Sequence, residues 1–282
     1  MIKKALIEIN QNCNLNCDYC FYNDYVRKKE SLKLNDIENL FNQYKHLKQF
    51  YLTGGECLLA TEIDNIIDFL SAKGSVVIFT NSINLTNKSK DYLKWFIEKI
   101  KRVIITFDSF NYAYKARGDS SDIVLDNIGE LLELNSDKVE VKVCLSKINI
   151  NDFEKTINRL RELGVKKMSL NFIHNIENSN LKYEITDEED LKNVFEIIDY
   201  NIDLFNYYDI EDFKNFFLKR ENRIIDKCIC GNSMVFIDCT GKIYDCPARL
   251  VEFNEKYNSN QEAKVFCLSK ECINLWEVFN DM

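Results

Sequence analysis

The chain has 282 residues, of which 46% are hydrophobic, 29% charged and 12% aromatic. This is a globular composition that argues against disorder and membrane insertion and can build one large core plus a small accessory module. A formal charge of −8 argues against a nucleic-acid partner, which needs a basic face to displace counterions from phosphates. The eleven cysteines are an odd count, and the opening apolar run is too short for an export signal. The expected setting is therefore the cytoplasm, where so many thiols point to metal rather than disulfides.

In chain order, a strand over Ala5 to Asn10 leads into a loop with three cysteines, followed by a helix over Asn35 to Leu47. Then come strand Gln49 to Thr53, helix Ile63 to Ala72, strand Ser75 to Thr80, helix Lys90 to Ile100 and strand Arg102 to Asp108. Helix Asp122 to Leu134, strand Val139 to Ser146, helix Asp152 to Leu163, strand Lys167 to Ile173 and helix Asp187 to Phe205 complete the series. Gly74 and Gly164 stand where helix C-caps belong. Six βα units with right-handed crossovers make an α/β protein, either a partial barrel or an open doubly wound sheet. Either architecture puts chemistry at the strand C-termini. The rhythm changes after residue 207, with a boundary expected near 222, dividing the chain into 1–221 and 222–282. In the second part, Ser233 to Cys246 reads as a hairpin turning at Thr240-Gly241.

The loop Cys13-Asn-Leu-Asn-Cys17-Asp-Tyr-Cys20 is a C-x-x-x-C-x-x-C pattern, short enough to wrap thiolates around three corners of one cubane cluster. Three ligands leave one iron open to bind and activate something. The alternatives are a zinc site, which wants a fourth Cys or His, and a redox C-x-x-C. His46 and His174, the chain's two histidines, are both far away in sequence. Arg27, Lys28 and Lys29 after the triad are either a docking point for an acidic electron carrier or a solvated loop.

The triad, with Tyr19 before its last cysteine, resembles the signature of the radical S-adenosylmethionine (SAM) superfamily. The resemblance implies a partial (β/α)6 TIM-type barrel, a [4Fe–4S] cluster on Cys13, Cys17 and Cys20, and SAM chelated to the open iron. It also implies reductive cleavage to a 5′-deoxyadenosyl radical, with Tyr19 or Phe21 packing near adenine. Gly54-Gly55-Glu56, one βα unit later, resembles the family's GGE motif, which hydrogen-bonds the methionyl amine; Cys57 replaces the common proline after it. Thr80, Asn81, Thr106 and Lys147 with Asn149 occupy strand ends where related enzymes contact ribose, carboxylate or substrate. Asp108 and Arg117-Gly118 resemble a stretch of family members with SPASM-type C-terminal domains.

Cys228, Cys230, Gly241 and Cys246 resemble the opening of SPASM and twitch domains. The resemblance implies a small C-terminal hairpin and helix module with one auxiliary [4Fe–4S] cluster on Cys228, Cys246, Cys267 and Cys272, with Cys230 the alternative for Cys228. A structural zinc is the other reading of these thiolates. Cys144 reads as a buried strand residue. In related epimerases a thiol returns hydrogen to the substrate radical, so Cys230, Cys239 and Cys57 are candidate donors. The expected activity is radical modification of a ribosomally made peptide by epimerisation, cross-linking or oxidation, with electrons from a flavodoxin- or ferredoxin-type donor. The alternatives are an enzyme acting on a sugar, aminoglycoside or cofactor precursor, and a non-catalytic metal-binding protein. A triad beginning at residue 13 leaves no room for a winged-helix leader-binding domain, favouring a small substrate, a short peptide or a separate recognition protein.

Overall fold

A computed structural model of the chain describes residues 2–20, 22, 30–110, 117–118, 120–173, 183–205, 214, 217–218 and 233–244. Strands β1 (Lys4–Glu8), β2 (Gln49–Thr53), β3 (Ser75–Thr80), β4 (Arg102–Thr106), β5 (Val139–Leu145) and β6 (Met168–Phe172) alternate with helices. The helices are α1 (Leu34–Gln43), α2 (Ile63–Ser71), α3 (Lys90–Lys99), α4 (Ser121–Asn135), α5 (Phe153–Glu162) and α6 (Glu188–Tyr200). A hairpin of β7 (Met234–Ile237) and β8 (Ile243–Tyr244) completes one sheet in the order β6-β5-β4-β3-β2-β1-β7-β8. Among the described residues all strand pairings are parallel except β7 with β8, and the sheet is a partial rather than a closed barrel.

The helices form where apolar residues recur at helical spacing. In α2, Ile63, Ile66, Ile67 and Leu70 are buried; in α5, Phe153, Thr156, Ile157 and Leu160 are. The Ser89 and Asp187 side chains cap α3 and α6, accepting from the backbone N–H of Tyr92 and of Glu189 and Asp190. The last helix is shorter than its periodicity predicts because the Asn201 amide turns back onto the Ile197 carbonyl at 2.9 Å. A short turn, Ile202–Leu204, follows. The first strand stops at Glu8, two residues early, as Asn10 turns aside to bridge Ser31. Gly164 ends α5 with φ +99, a cap for which glycine is suited. Gly74 is needed for another reason, since a Cβ there would lie 2.1 Å from the Lys48 carbonyl oxygen.

Alternation along the strands sends side chains to two cores. The larger lies between sheet and helices and takes Val139, Val141, Val143 and Leu145 from β5. The smaller fills the concave face, or lumen, with Leu6, Tyr51, Val77, Ile104, Met234 and Phe236. Opposite that apolar wall, the lumen side of β4 and β5 carries a buried Arg102–Glu140 ion pair at 2.9 Å. No helix among the described residues is long and apolar enough to cross a membrane.

Candidate active site

The cysteine loop leaves the C-terminal end of β1 and is fastened to the loop after β2. Gly55 and Glu56 donate their backbone N–H groups to the carbonyls of Asn10 and Asn12 at 2.8 and 2.7 Å. The Asn10 amide returns a bond to the Glu56 carbonyl at 3.1 Å. Both glycines are required by close approach: a Cβ would lie 2.2 Å from the Asn10 oxygen at Gly54 and 2.3 Å from the Asn12 oxygen at Gly55. The Glu56 carboxylate is buried and accepts from the Leu58 N–H, the Thr80 hydroxyl and the Asn81 N–H at 3.1, 2.8 and 2.7 Å. It thereby locks the end of β3. Burial pushes its carboxyl up from the usual range, against the pull of those donors.

From that locked turn the Asn81 amide reaches Asn14 Oδ1 at 2.8 Å and Cys13 Sγ at 3.7 Å. Leu15 adds a backbone N–H to the same sulfur at 3.4 Å. Cys13, Cys17 and Cys20 are all partly buried thiols. Burial pushes Cys17 up to about 12, so a positive centre is needed to hold it as thiolate. Across the site, Asp108 accepts from the Tyr19 hydroxyl, from Arg117 at 3.4 Å and from the Cys144 N–H at 3.3 Å. Tyr183 packs edge-on against Tyr19 and bonds Asp18 at 2.9 Å. Tyr19 thus braces the cysteine loop against β4 and β5. On the far side Glu8 accepts from the hydroxyl of Tyr22, from Gln11 at 3.1 Å and from the Cys239 N–H at 3.2 Å.

Beneath this rim, lumen-facing positions differ by depth. Thr53, Phe79, Thr106 and Lys142 are partly open and Asn171 is exposed, whereas Tyr51, Val77, Glu140 and Ser169 are buried. The lumen therefore opens at the strand C-termini and is filled below. Lys142 pairs in register with Thr106 on one side and Ser169 on the other, and its ammonium lies 4.9 Å from the centre of the Phe79 ring. Among the described residues no carboxylate forms an ion pair with it, and burial pulls its pKa below the usual lysine value. The buried Ser169 hydroxyl below it has no hydrogen-bond partner among the described residues. At the open level, Lys142 with Thr106 beside it suits a ligand anion in the lumen mouth.

Residues 7–191 match the family model described as the radical SAM superfamily. The chain belongs to this superfamily. The solved structures that it resembles include radical SAM proteins. Streptococcus suis SuiB bound to precursor peptide SuiA aligns with TM-score 0.70 and 13% identity, over 93% of this chain and 67% of that one. Native anSMEcpe with bound AdoMet and Kp18Cys peptide aligns with TM-score 0.71 and 15% identity, over 94% and 83%. At such identities the likeness speaks for the fold. The curated relatives include GTP 3',8-cyclases. That of Clostridium botulinum is 27% identical over 159 residues, 52% of this chain and 49% of the relative; that of Staphylococcus carnosus is 24% identical over 192 residues, 64% and 56%. The matched span is thus about half the length of those relatives.

Membership in the radical SAM superfamily implies a [4Fe–4S] cluster and SAM, and the residues present fit them. One loop offers three thiols, N–H donors already face the Cys13 sulfur, and the lumen mouth beside the loop is lined by a cation and hydroxyls. No three His, Cys, Asp or Glu side chains among the described residues converge as ligands of a single ion would. A cubane asks for something else, each thiolate on a different iron.

The structure brings the triad, Tyr19, Gly54, Gly55, Glu56, Thr80, Asn81, Thr106 and Asp108 to one end of the sheet. Lys147 is exposed and meets the rest through its backbone bond to Tyr183. Cys57 lies apart, in the core between sheet and helices, donating its thiol to the Phe79 carbonyl at 3.2 Å. Cys239 is buried beside Glu8. Phe21, Arg27, Lys28, Lys29, Cys228, Cys230, Cys246, Cys267 and Cys272 lie outside the described residues. Lys142 and Glu8 are absent from the sequence expectations. Period-two polarity in VEVKVCLSK, with Glu140, Lys142 and Cys144 on one face, is the signal that finds the first of them.

Proposed function

We propose that the chain cleaves SAM reductively and uses the radical to take hydrogen from a ribosomally made peptide, ending in epimerisation, cross-linking or oxidation. The observation that carries the first half is the fastening of the cysteine loop to Gly54-Gly55-Glu56, with Asn81 spanning to Cys13. When bound, the cluster on Cys13, Cys17 and Cys20 supplies the electron for cleavage. Thr106 and Lys142 receive the methionyl carboxylate, and the backbone around Gly54 and Gly55 receives the amine. Asp108 pairs with Arg117 and holds Tyr19 in place.

The peptide half draws its support from the fold shared with proteins crystallised with peptides, SuiB with SuiA and anSMEcpe with Kp18Cys. Residues 222–282 form the twitch-like part of the proposal, with Cys228 or Cys230, Cys246, Cys267 and Cys272 holding an auxiliary cluster. In an epimerase outcome, Cys239 or Cys230 returns the hydrogen atom. A flavodoxin- or ferredoxin-type protein donates electrons. The second reading, a small-molecule enzyme building a cofactor precursor, is favoured by the relatives named GTP 3',8-cyclase.

Anaerobic reconstitution with a strong reductant tests the whole. The expected result is 5′-deoxyadenosine from SAM, lost on replacing Cys13, Cys17 or Cys20 by Ala, and a reconstituted iron content twice that of a one-cluster protein. Mass-shifted product from peptides encoded beside the gene separates the peptide reading from turnover of GTP. No SAM cleavage by a fully loaded protein would overturn both readings.

A further inference from the structure

The turn after β3 carries three features that SAM binding alone does not require. Ser82 adopts a left-handed conformation at φ 64, unfavourable for a side chain with a Cβ, and its buried hydroxyl has no hydrogen-bond partner among the described residues. Asn127, buried on α4, donates to the Ser82 carbonyl at 2.9 Å and to the Thr86 hydroxyl at 3.0 Å. Every polar atom of the Asn81 side chain is committed, Oδ1 accepting from the Ile83 N–H at 3.0 Å and Nδ2 donating to Asn14 and to the Cys13 sulfur. The fold thus strains one residue and spends a buried helix side chain to aim one amide at one cysteine.

We infer that Asn81 donates an N–H···S bond to the Cys13 thiolate of the loaded protein and sets the cluster's reduction potential, with Asn127 as the positioning residue. This rests on the cluster reading above. A hydrogen bond to a ligand sulfur withdraws negative charge and favours the reduced cluster, which carries one more electron, so it raises the potential. The Leu15 N–H supplies a second, backbone donor that mutation leaves in place. Asn81 is therefore the adjustable one.

An EPR-monitored redox titration of the reconstituted protein without SAM measures the effect. Asn81→Leu is expected to lower the midpoint so that about tenfold less cluster is reduced at a fixed ambient potential, which for one electron is about 59 mV. Asn127→Ala should move it the same way by less, because Asn81 remains but loses its brace. Ser82→Gly should leave it unchanged, since glycine takes the left-handed conformation freely. A purely structural role would cost cluster yield and leave the midpoint where it was. Asn81→Leu with a full cluster at the wild-type potential overturns the inference. Should that variant not hold a cluster, Asn127→Ala decides by the same readings, a lower midpoint supporting the inference and an unmoved one overturning it. A wild-type protein that assembles no cluster overturns the parent reading and this one with it.

Discussion

A partly buried ammonium with an aromatic ring and two hydroxyl-bearing neighbours, in ion-pair contact with no carboxylate among the described residues, is a cost carried by the ligand-free protein. Lys142→Met should therefore raise the stability of SAM-free protein by about 1–2 kcal/mol while weakening SAM binding roughly tenfold or more. Calorimetric melting and titration with SAM check the two halves. The sign of the pH effect follows from the direction of the shift. With its pKa below 10.5, folded Lys142 binds fewer protons than the unfolded chain, so stability rises with pH through that window, and the Met variant loses the rise. Glu56 behaves oppositely. Its carboxyl is raised above 4.5, so the folded state binds more protons and stability falls as pH climbs from there through the raised value. Glu56→Gln should flatten that fall. It should also cost about 1–3 kcal/mol, because one amide oxygen cannot serve three donors.

At the scale of elements, two loops from adjacent strands form one unit through backbone contacts, and backbone cannot swing aside as a side chain does. Gly55→Ala would set a Cβ 2.3 Å from the Asn12 oxygen and 2.6 Å from that of Gln11. A strain of about 1–3 kcal/mol is expected, a roughly ten- to hundredfold loss in cluster retention with far-UV circular dichroism unchanged. The elements themselves were legible because α2 and α5 repeat apolar residues at helical spacing and the strands are short Val- and Ile-rich runs between them. The triad and the glycine pair were legible as spacing. Lys142 was hidden because VEVKVCLSK looks like a plain strand until one knows that one of its faces lines a lumen rather than meeting helices. Cys57 looked chemical in sequence because it adjoins Glu56, yet the short turn Cys57–Leu59 rotates its thiol into the helix-side core.

For the whole molecule the decisive contact is between the first strand and the hairpin. Thr240-Gly241 reads locally as a turn, and Gly241 has the positive φ that such a turn uses. Nothing local says that β7 lies parallel to β1, with Ala5 opposite Val235 and Ile7 opposite Ile237. The four buried residues of Met234–Ile237 hint at a strand covered on both faces, as interior parallel strands are. Because β7 supplies Met234 and Phe236 to the lumen, a fragment ending at residue 221 should lack part of its core. Its β1 amides are expected to exchange quickly and its melting to lose cooperativity, which hydrogen exchange and calorimetry would read against the full chain.

That contact also fixes a schedule. Glu8 and Cys239, joined by a hydrogen bond, are 231 positions apart, so β1 waits with one edge unsatisfied while nearly all the chain between is synthesised. At about 5–20 residues per second the wait is roughly 10–50 seconds, during which the cysteines that follow β1 stand beside an unfinished wall. Metal loading before that wall closes and loading after it would be separate events on the ribosome's clock.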